Sequence, residues 1–285
     1  MKFYDAFAGI GGFHLGITQA HSDWECVGGC EINKYAKKVY SNHFPKVKID
    51  DDITKVDRLP EGTDIFCGGF PCQSFSIAGK RGGFADTRGT LFFEIARLLQ
   101  VSKPKLVFLE NVKGLLSHDK GRTFGTILYT LGELGYWWEY QVLNSKDFGV
   151  PQNRERVFVV GHLTGGGFNP IFPIGRKEGE TSGYHKRDEN PAIYFDDSVP
   201  KAKTRRGRVM EDCGTLMATP RGGVAYIDEK RFDIVFRRFT EVECERLQGF
   251  PDGWTDRIPS HQRYKCLGNA VTVNVVRAIA ERMRG

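Results

Sequence analysis

What the sequence lacks narrows the field first. No apolar run in the 285 residues approaches the ~18–20 needed for a membrane-spanning helix, so a helical membrane protein is excluded and no membrane partner is expected. Met1-Lys2-Phe3-Tyr4-Asp5 has no long apolar core of the signal-peptide kind and runs directly into a first strand, which points to a cytoplasmic protein. The seven cysteines, at 26, 30, 67, 72, 213, 244 and 266, are odd in number and include no Cys-x-x-Cys pair. Neither a disulfide framework nor a zinc site is indicated, and no metal is expected. There is no internal repeat and no low-complexity tract. The excess of one charge sign is small, a net +6 with a pI near 8.9, and by itself it separates few partners.

What is present is an alternation of strands and helices over roughly the first 160 residues. Strands are expected at 2–8, 25–31, 64–68, 105–110, 137–144 and 156–162, with helices at 12–20, 35–43, 90–101 and 122–134. This order predicts an α/β fold, a mostly parallel sheet with helices on both faces. Ligands of such sheets sit beyond the carboxyl ends of the strands. The pattern breaks at Gly165-Gly166-Gly167, and Pro170, Pro173 and Pro191 follow in a glycine- and charge-rich stretch. We therefore expect a first domain over 1–164, a small irregular β-containing domain over 165–235 and a hinge over 236–266. In the hinge, Thr240 followed by Glu243 reads as a capping box. A helix closing 267–285 carries Val271, Val275, Ile279 and Met283 on one face and is expected to pack back on the first domain.

Phe7-Ala8-Gly9-Ile10-Gly11-Gly12-Phe13 follows a strand and opens a helix, where glycines let the backbone approach a ligand closely. Such a turn is equally compatible with a simple tight bend. Glu31, about 20 residues on at the end of the next strand, adds an acceptor for ribose hydroxyls. A nicotinamide dinucleotide calls for Gly-x-Gly-x-x-Gly, and His14 stands at the last position. An adenosyl ligand such as S-adenosylmethionine fits as well or better. Asp52, in the acidic triplet Asp50-Asp51-Asp52, is either an acceptor for an adenine amino group or part of a solvated turn.

Gly69-Phe70-Pro71-Cys72-Gln73-Ser74 follows the apolar run Asp64–Cys67, which places a cysteine on a loop at the end of a buried strand. In isolation such a cysteine is more often structural. Its neighbours favour chemistry: the long polar loop 73–89 has the character of a lid, and Glu110 closes a nearby strand. A thiolate beside a carboxylic acid suits addition to an electron-poor ring whose nitrogen the acid protonates. Arg154 and Arg156 follow in Gln152-Asn153-Arg154-Glu155-Arg156.

Taken in order, these segments resemble the bacterial-type DNA (cytosine-5) methyltransferase family over nearly the whole chain. Arg246-Leu247-Gln248-Gly249-Phe250-Pro251 and Gly268-Asn269-Ala270-Val271 complete the series, and no Asp-Pro-Pro-Tyr motif of the amino-methylating DNA enzymes is present. The resemblance implies a Rossmann-like methyltransferase domain plus a target-recognition domain. It implies methyl transfer from S-adenosylmethionine to carbon 5 of a flipped-out cytosine through a Cys72 adduct, with Glu110 at ring nitrogen 3. Arg154 and Arg156 would hold the base and its phosphate. It assigns the cofactor to Phe7, Ala8, Gly9, Gly11, Gly12, Glu31, Ile32, Asp52, Ile53, Pro71 and Leu91, with Asn269, Ala270 and Val271 at the start of the last helix.

The resemblance also implies double-stranded DNA as partner, nucleoid association, a monomer, and either a restriction endonuclease acting separately or a phage self-protection role. Gln73, Ser76, Lys80 and Arg88 would meet DNA from the loop after the cysteine. In the recognition segment Lys203, Arg205, Arg206 and Arg208 belong to the densest cationic run, Lys201–Arg208. Arg221 joins them as a candidate for reading guanine, and Thr215-Leu216 resembles a short signature of such segments. Three other readings compete. A transfer-RNA cytosine methyltransferase is disfavoured by the Gly-Phe-Pro-Cys-Gln form. A non-catalytic DNA-binding protein is disfavoured by the complete set of nucleophile, acid and arginines. A nicotinamide oxidoreductase is disfavoured by the glycine pattern.

Overall fold

The computed structural model describes residues 1–71, 91–165, 169–175 and 239–283 in full, with the backbone of four further strands between 182 and 238. Cys72, Gln73, Ser76, Lys80, Arg88, Lys203, Arg205, Arg206, Arg208, Thr215 and Arg221 lie outside the described residues.

Alternating burial along short strands builds a layered α/β/α core. Phe3 in β1 (Lys2–Ala6), Ile65 and Cys67 in β4 (Ile65–Gly69) and Phe108 in β5 (Leu106–Val112) point to one face of the sheet. There they meet Phe13 and Ile17 of α1 (Gly12–Ala20) and Val275, Val276 and Ile279 of α7 (Val273–Ala280). Their sequence neighbours Tyr4, Phe66, Val107 and Leu109 point to the other face. That face is covered by Phe92, Ile95 and Leu99 of α3 (Leu91–Ser102) and Phe124, Ile127 and Leu131 of α4 (Arg122–Glu133). Strands buried on both faces read as near-continuous apolar runs, as these do.

The main sheet has eight strands in the order β3-β2-β1-β4-β5-β8-β6-β9. β2 (Glu25–Cys30) and the two-residue β3 (Ile49–Asp50) continue the parallel half. Between them α2 (Lys34–His43) is capped by the Asn33 side chain, which accepts from the Tyr35 and Ala36 amides. β6 (Tyr136–Asn144) and β8 (Glu155–Leu163) are antiparallel additions, with β7 (Gln152–Asn153) in the turn between them.

Two differences from the sequence reading concern the later chain. The main sheet takes a strand from beyond residue 164, β9 (Ser182–His185), which pairs with β6, while β10 (Cys213–Gly214) pairs with β7 in a separate two-stranded sheet. Glu139 and Gln141 anchor the segment leading there. The Glu139 carboxylate accepts from the Ile171 and Phe172 amides, both at 2.9 Å, and from His162 Nε2, while Gln141 exchanges two bonds with Ile174. β11 (Gly223–Asp228) and β12 (Asp233–Arg238) form a separate hairpin.

The second difference is at the end. The expected single helix from Asn269 is broken: Asn269 closes α6 (Ser260–Asn269), Ala270 is extended, and α7 starts only at Val273. Gln248 takes part in the break by donating to the Leu267 and Ala270 carbonyls and accepting from Thr272 Oγ1. The capping box at Thr240 forms as read, opening α5 (Glu241–Leu247). No described helix is long and apolar enough to cross a membrane.

Candidate active site

Along the carboxyl ends of β1, β2, β4 and β5 runs a cavity of about 500 Å³, within the range of small-ligand pockets. The glycine turn forms its floor. Phe7 (φ 57°), Gly9 (φ 56°) and Gly11 (φ 91°) are all left-handed. At Gly11 a Cβ would lie 2.6 Å from the Phe44 ring, so a side chain there is excluded twice over. Glu31 locks the turn to β2: its Oε2 accepts from the Gly9 amide at 2.8 Å and its Oε1 from the Asn33 amide at 2.6 Å. Burial raises the Glu31 pKa, and these amides pull it back. Each oxygen keeps a further acceptor site for a hydroxyl.

The other expected cofactor residues fall in place around this floor. Phe7, Ala8, Gly9, Gly12, Ile32, Asp52, Ile53, Pro71, Leu91, Asn269, Ala270 and Val271 all line the cavity, whereas Gly11 shapes the turn without lining it. Ile32 is 79% exposed, a large apolar side chain left open at the mouth. The Asp52 carboxylate accepts from the Thr54 hydroxyl and amide, which hold it below the usual carboxylate range. A bonded acid, an open apolar face and a glycine floor fit the ribose, base and chain of an adenosyl ligand.

At the other end of the cavity stands Glu110. The parallel register sets Gly69 beside it, and a Cβ at Gly69 would lie 2.8 Å from Glu110 Oε2; only glycine leaves the carboxyl this room. Across the antiparallel pair Arg156 faces Val112, diagonal to Glu110 on the same side of the sheet, within reach of a long side chain. Its Nε lies 3.0 Å from Glu110 Oε1, and both side chains are largely buried. Burial pushes the Glu110 pKa up, while Arg156 and then Arg154 oppose the rise. The result is a carboxyl group that retains its proton more readily than an exposed one, against a fixed cation.

Arg154 lines the same cavity as Glu110 and Arg156. It is 2% exposed, and its terminal nitrogens donate to the carbonyls of Gly268 (3.1 Å) and Ala270 (2.8 Å). Burial lowers its pKa to about 9, so it stays charged at neutral pH. It ties the acid end of the cavity to the wall formed by residues 268–271.

Several contacts of this site escaped the sequence reading, two of them made by Asn111 and Gln152, which stand in the same motifs as Glu110 and Arg154. Asn111 is buried and donates to the Phe70 carbonyl at 2.8 Å, fixing the chain one residue before Pro71-Cys72. Gln152 Nε2 donates to the Leu247 carbonyl, and Ser145 bridges the Arg154 carbonyl to Thr272. Only Asn33, a cap residue just before a helical run, carried a local signal. The others act across more than 40 residues of chain or through backbone groups, which pattern does not reveal.

Comparison with known proteins agrees with this geometry. The sequence model of the family described as C-5 cytosine-specific DNA methylase matches residues 1–213 and 228–285. Type II methyltransferase M.NlaX of Neisseria lactamica is 39% identical over 99% of this chain and 96% of its own length. Type II methyltransferase M.HaeII of Haemophilus aegyptius is 41% identical over 99% and 92%. Among solved structures, the S. pombe Dnmt2 methyltransferase has a TM-score of 0.70 at 21% identity, covering 99% of this chain and 97% of that one, a likeness of fold.

Proposed function

The chain belongs to the C-5 cytosine-specific DNA methylase family, and from that premise we propose how its own residues carry out methylation of cytosine in DNA. The observation that carries the reading is the buried Glu110–Arg156 pair in the wall of a cavity whose floor is the glycine turn.

The target cytosine leaves the base stack, because its ring carbons are unreachable within the duplex. Cys72, next after the cavity-lining Pro71, adds as thiolate to carbon 6. Glu110 gives its proton to ring nitrogen 3, and the electron pair released into the ring makes carbon 5 nucleophilic. Arg156 fixes the Glu110 carboxyl and faces the base oxygen. S-adenosylmethionine supplies the methyl group when bound. Glu31 takes its ribose hydroxyls, Ile32, Asp52 and Ile53 border its adenine, and Leu91 with Asn269–Val271 closes the pocket. Once carbon 5 carries the methyl group, water takes up its proton, the Cys72 thiolate departs from carbon 6 and nitrogen 3 returns its proton to Glu110, so the ring is aromatic again and the residues are reset. Arg154 acts as a positioning residue, holding 268–270 in line with the acid.

Sequence reading belongs to the segment 165–235, with Gln73, Ser76, Lys80 and Arg88 meeting DNA from the loop after the cysteine. Lys203, Arg205, Arg206, Arg208 and Arg221 contribute phosphate and guanine contacts, Thr215 belongs to the same recognition segment, and binding weakens as salt rises. The protein works as a monomer on one short site and is the modification partner of a separate restriction endonuclease.

Bisulfite sequencing of DNA from a host lacking cytosine methylation, after expression of the chain, is the test. Methylcytosine in one short recurring context is expected, and Cys72→Ser should abolish it while DNA binding persists. Methylation undiminished in Cys72→Ser contradicts the adduct. Unmodified DNA from soluble wild-type protein contradicts the substrate.

A further inference from the structure

The glycine turn is held from below by Glu31, but a second support reaches it from far along the chain. Trp254 lies in the loop between α5 and α6, and its indole Nε1 donates to the Ile10 carbonyl at 2.9 Å. That carbonyl and the Gly11 amide belong to one rigid peptide plane. The Gly11 amide donates to the Ala8 carbonyl at 2.8 Å, so the plane between Ile10 and Gly11 is pinned at both ends. It sits between Gly9 and Gly12, both of which line the cavity.

Trp254 is itself held closely. Its ring stacks on His43 at 3.6 Å with an interplanar angle of 2°, and Phe250 and Phe44 complete the cage. His43 Nε2 also donates to the Trp254 carbonyl at 2.7 Å. On either side of the indole the Gly253 and Thr255 amides donate to the fully buried Glu245 carboxylate. Arg263 pairs with that carboxylate at 3.0 Å. An apolar core residue does not need this much polar restraint of its flanking backbone; a donor aimed at one carbonyl does.

We infer that Trp254 is a positioning residue for the cofactor, setting the affinity of the glycine turn for the adenosyl ligand through the Ile10 carbonyl. The inference rests on the reading of that turn as the S-adenosylmethionine site. Trp254 does not touch the reacting atoms, so its loss acts on binding and leaves the chemical step alone.

The test compares the full chain with Trp254→Phe, which keeps an aromatic ring in the cage and removes the N–H donor. Calorimetric titration with S-adenosylhomocysteine should show Kd raised about five- to tenfold, the loss of roughly one hydrogen bond. KM for S-adenosylmethionine should rise in parallel, with kcat at saturation and DNA affinity within about twofold of wild type. His43→Ala, which removes the stacking partner, should weaken the same Kd by a smaller factor and remains usable if Trp254→Phe does not fold. Equal Kd in the folded wild type and variants overturns the inference, as does a fall in kcat with an unchanged KM. A wild type that binds no S-adenosylhomocysteine overturns the cofactor reading itself, and this inference with it.

Discussion

At the scale of single residues, the decisive contrast is between two arginines separated by one position. Arg156 lies within β8 with its side chain on the Glu110 face, whereas Arg154 precedes the strand and turns to the 268–270 carbonyls. Sequence spacing gives both the same charge and the same motif; only the register of β8 against β5 separates an acid partner from a tether. Glu110 itself was legible as an acid near the end of its strand, although β5 runs on to Val112, but its character depends on burial that no local pattern encodes. The acid role predicts that Glu110→Gln, which keeps shape and removes the exchangeable proton, lowers kcat by about 10²–10⁴-fold while S-adenosylhomocysteine still binds. Steady-state kinetics with calorimetry decides this, and a variant within tenfold of wild type removes Glu110 from the proton transfer. Because burial raises the Glu110 pKa, the acid form persists further toward neutral pH, and wild-type kcat should fall as pH rises through that pKa.

At the scale of elements, the region after residue 239 contributes more to the site than its motifs suggested. α5, α6 and the Trp254 loop dock on the turn and on α2 through Ile10, Ala36, Val39, Phe250, Leu267 and Val273. Glu245 organises this unit by taking bonds from Gly253, Thr255 and Arg263 with no exposure to solvent. Removing Glu245 leaves the part-buried Gly253 and buried Thr255 donors without an acceptor, whereas Arg263 keeps Asp256 at 2.8 Å. Glu245→Ala is therefore expected to cost about 3 kcal/mol or more of unfolding free energy in urea, a heavy loss for a surface-adjacent helix, and a cost below ~1 kcal/mol would show the carboxylate to be dispensable. The longer helices and strands of the first 164 residues were readable because each carries its own apolar period, as α1 over Gly12–Ala20 does, whereas the two-residue β3 and β7 are too short to carry one. The break between α6 and α7 was not, since 269–283 keeps a helical apolar spacing and the interruption comes from Gln248, two dozen residues upstream, competing for the backbone. β9 joining the main sheet was likewise hidden, for pairing with β6 is a tertiary choice.

At the scale of the whole molecule, folding buries titratable groups beneath the glycine turn, and this makes stability depend on pH. His14 of α1 stacks on Phe44 at 3.5 Å and shares a 2.8 Å hydrogen bond with the Tyr40 hydroxyl. Burial lowers its pKa to about 4, so the native state holds it neutral. The unfolded chain takes up a proton on this residue near pH 6.5 and the native chain does not until about pH 4. Stability from this group is complete above pH 6.5 and is lost as pH falls between those values, by up to roughly 3–3.5 kcal/mol. Asp5, fully buried beside it, runs the other way: burial pushes its pKa well up, so the native state keeps a proton that the unfolded state releases, and its contribution falls as pH rises above the ordinary aspartate range. The two slopes oppose each other over part of the acid range and can be separated by substitution. In His14→Gln the histidine slope is gone whatever happens to the absolute stability, so urea denaturation at pH 7 and pH 5 should show a smaller loss between the two than in wild type. Equal losses would place the acid sensitivity in other groups and leave His14 a packing residue. The same comparison for Asp5→Asn should show the opposite sign between pH 5 and pH 8, with the variant gaining relative to wild type as the pH is raised.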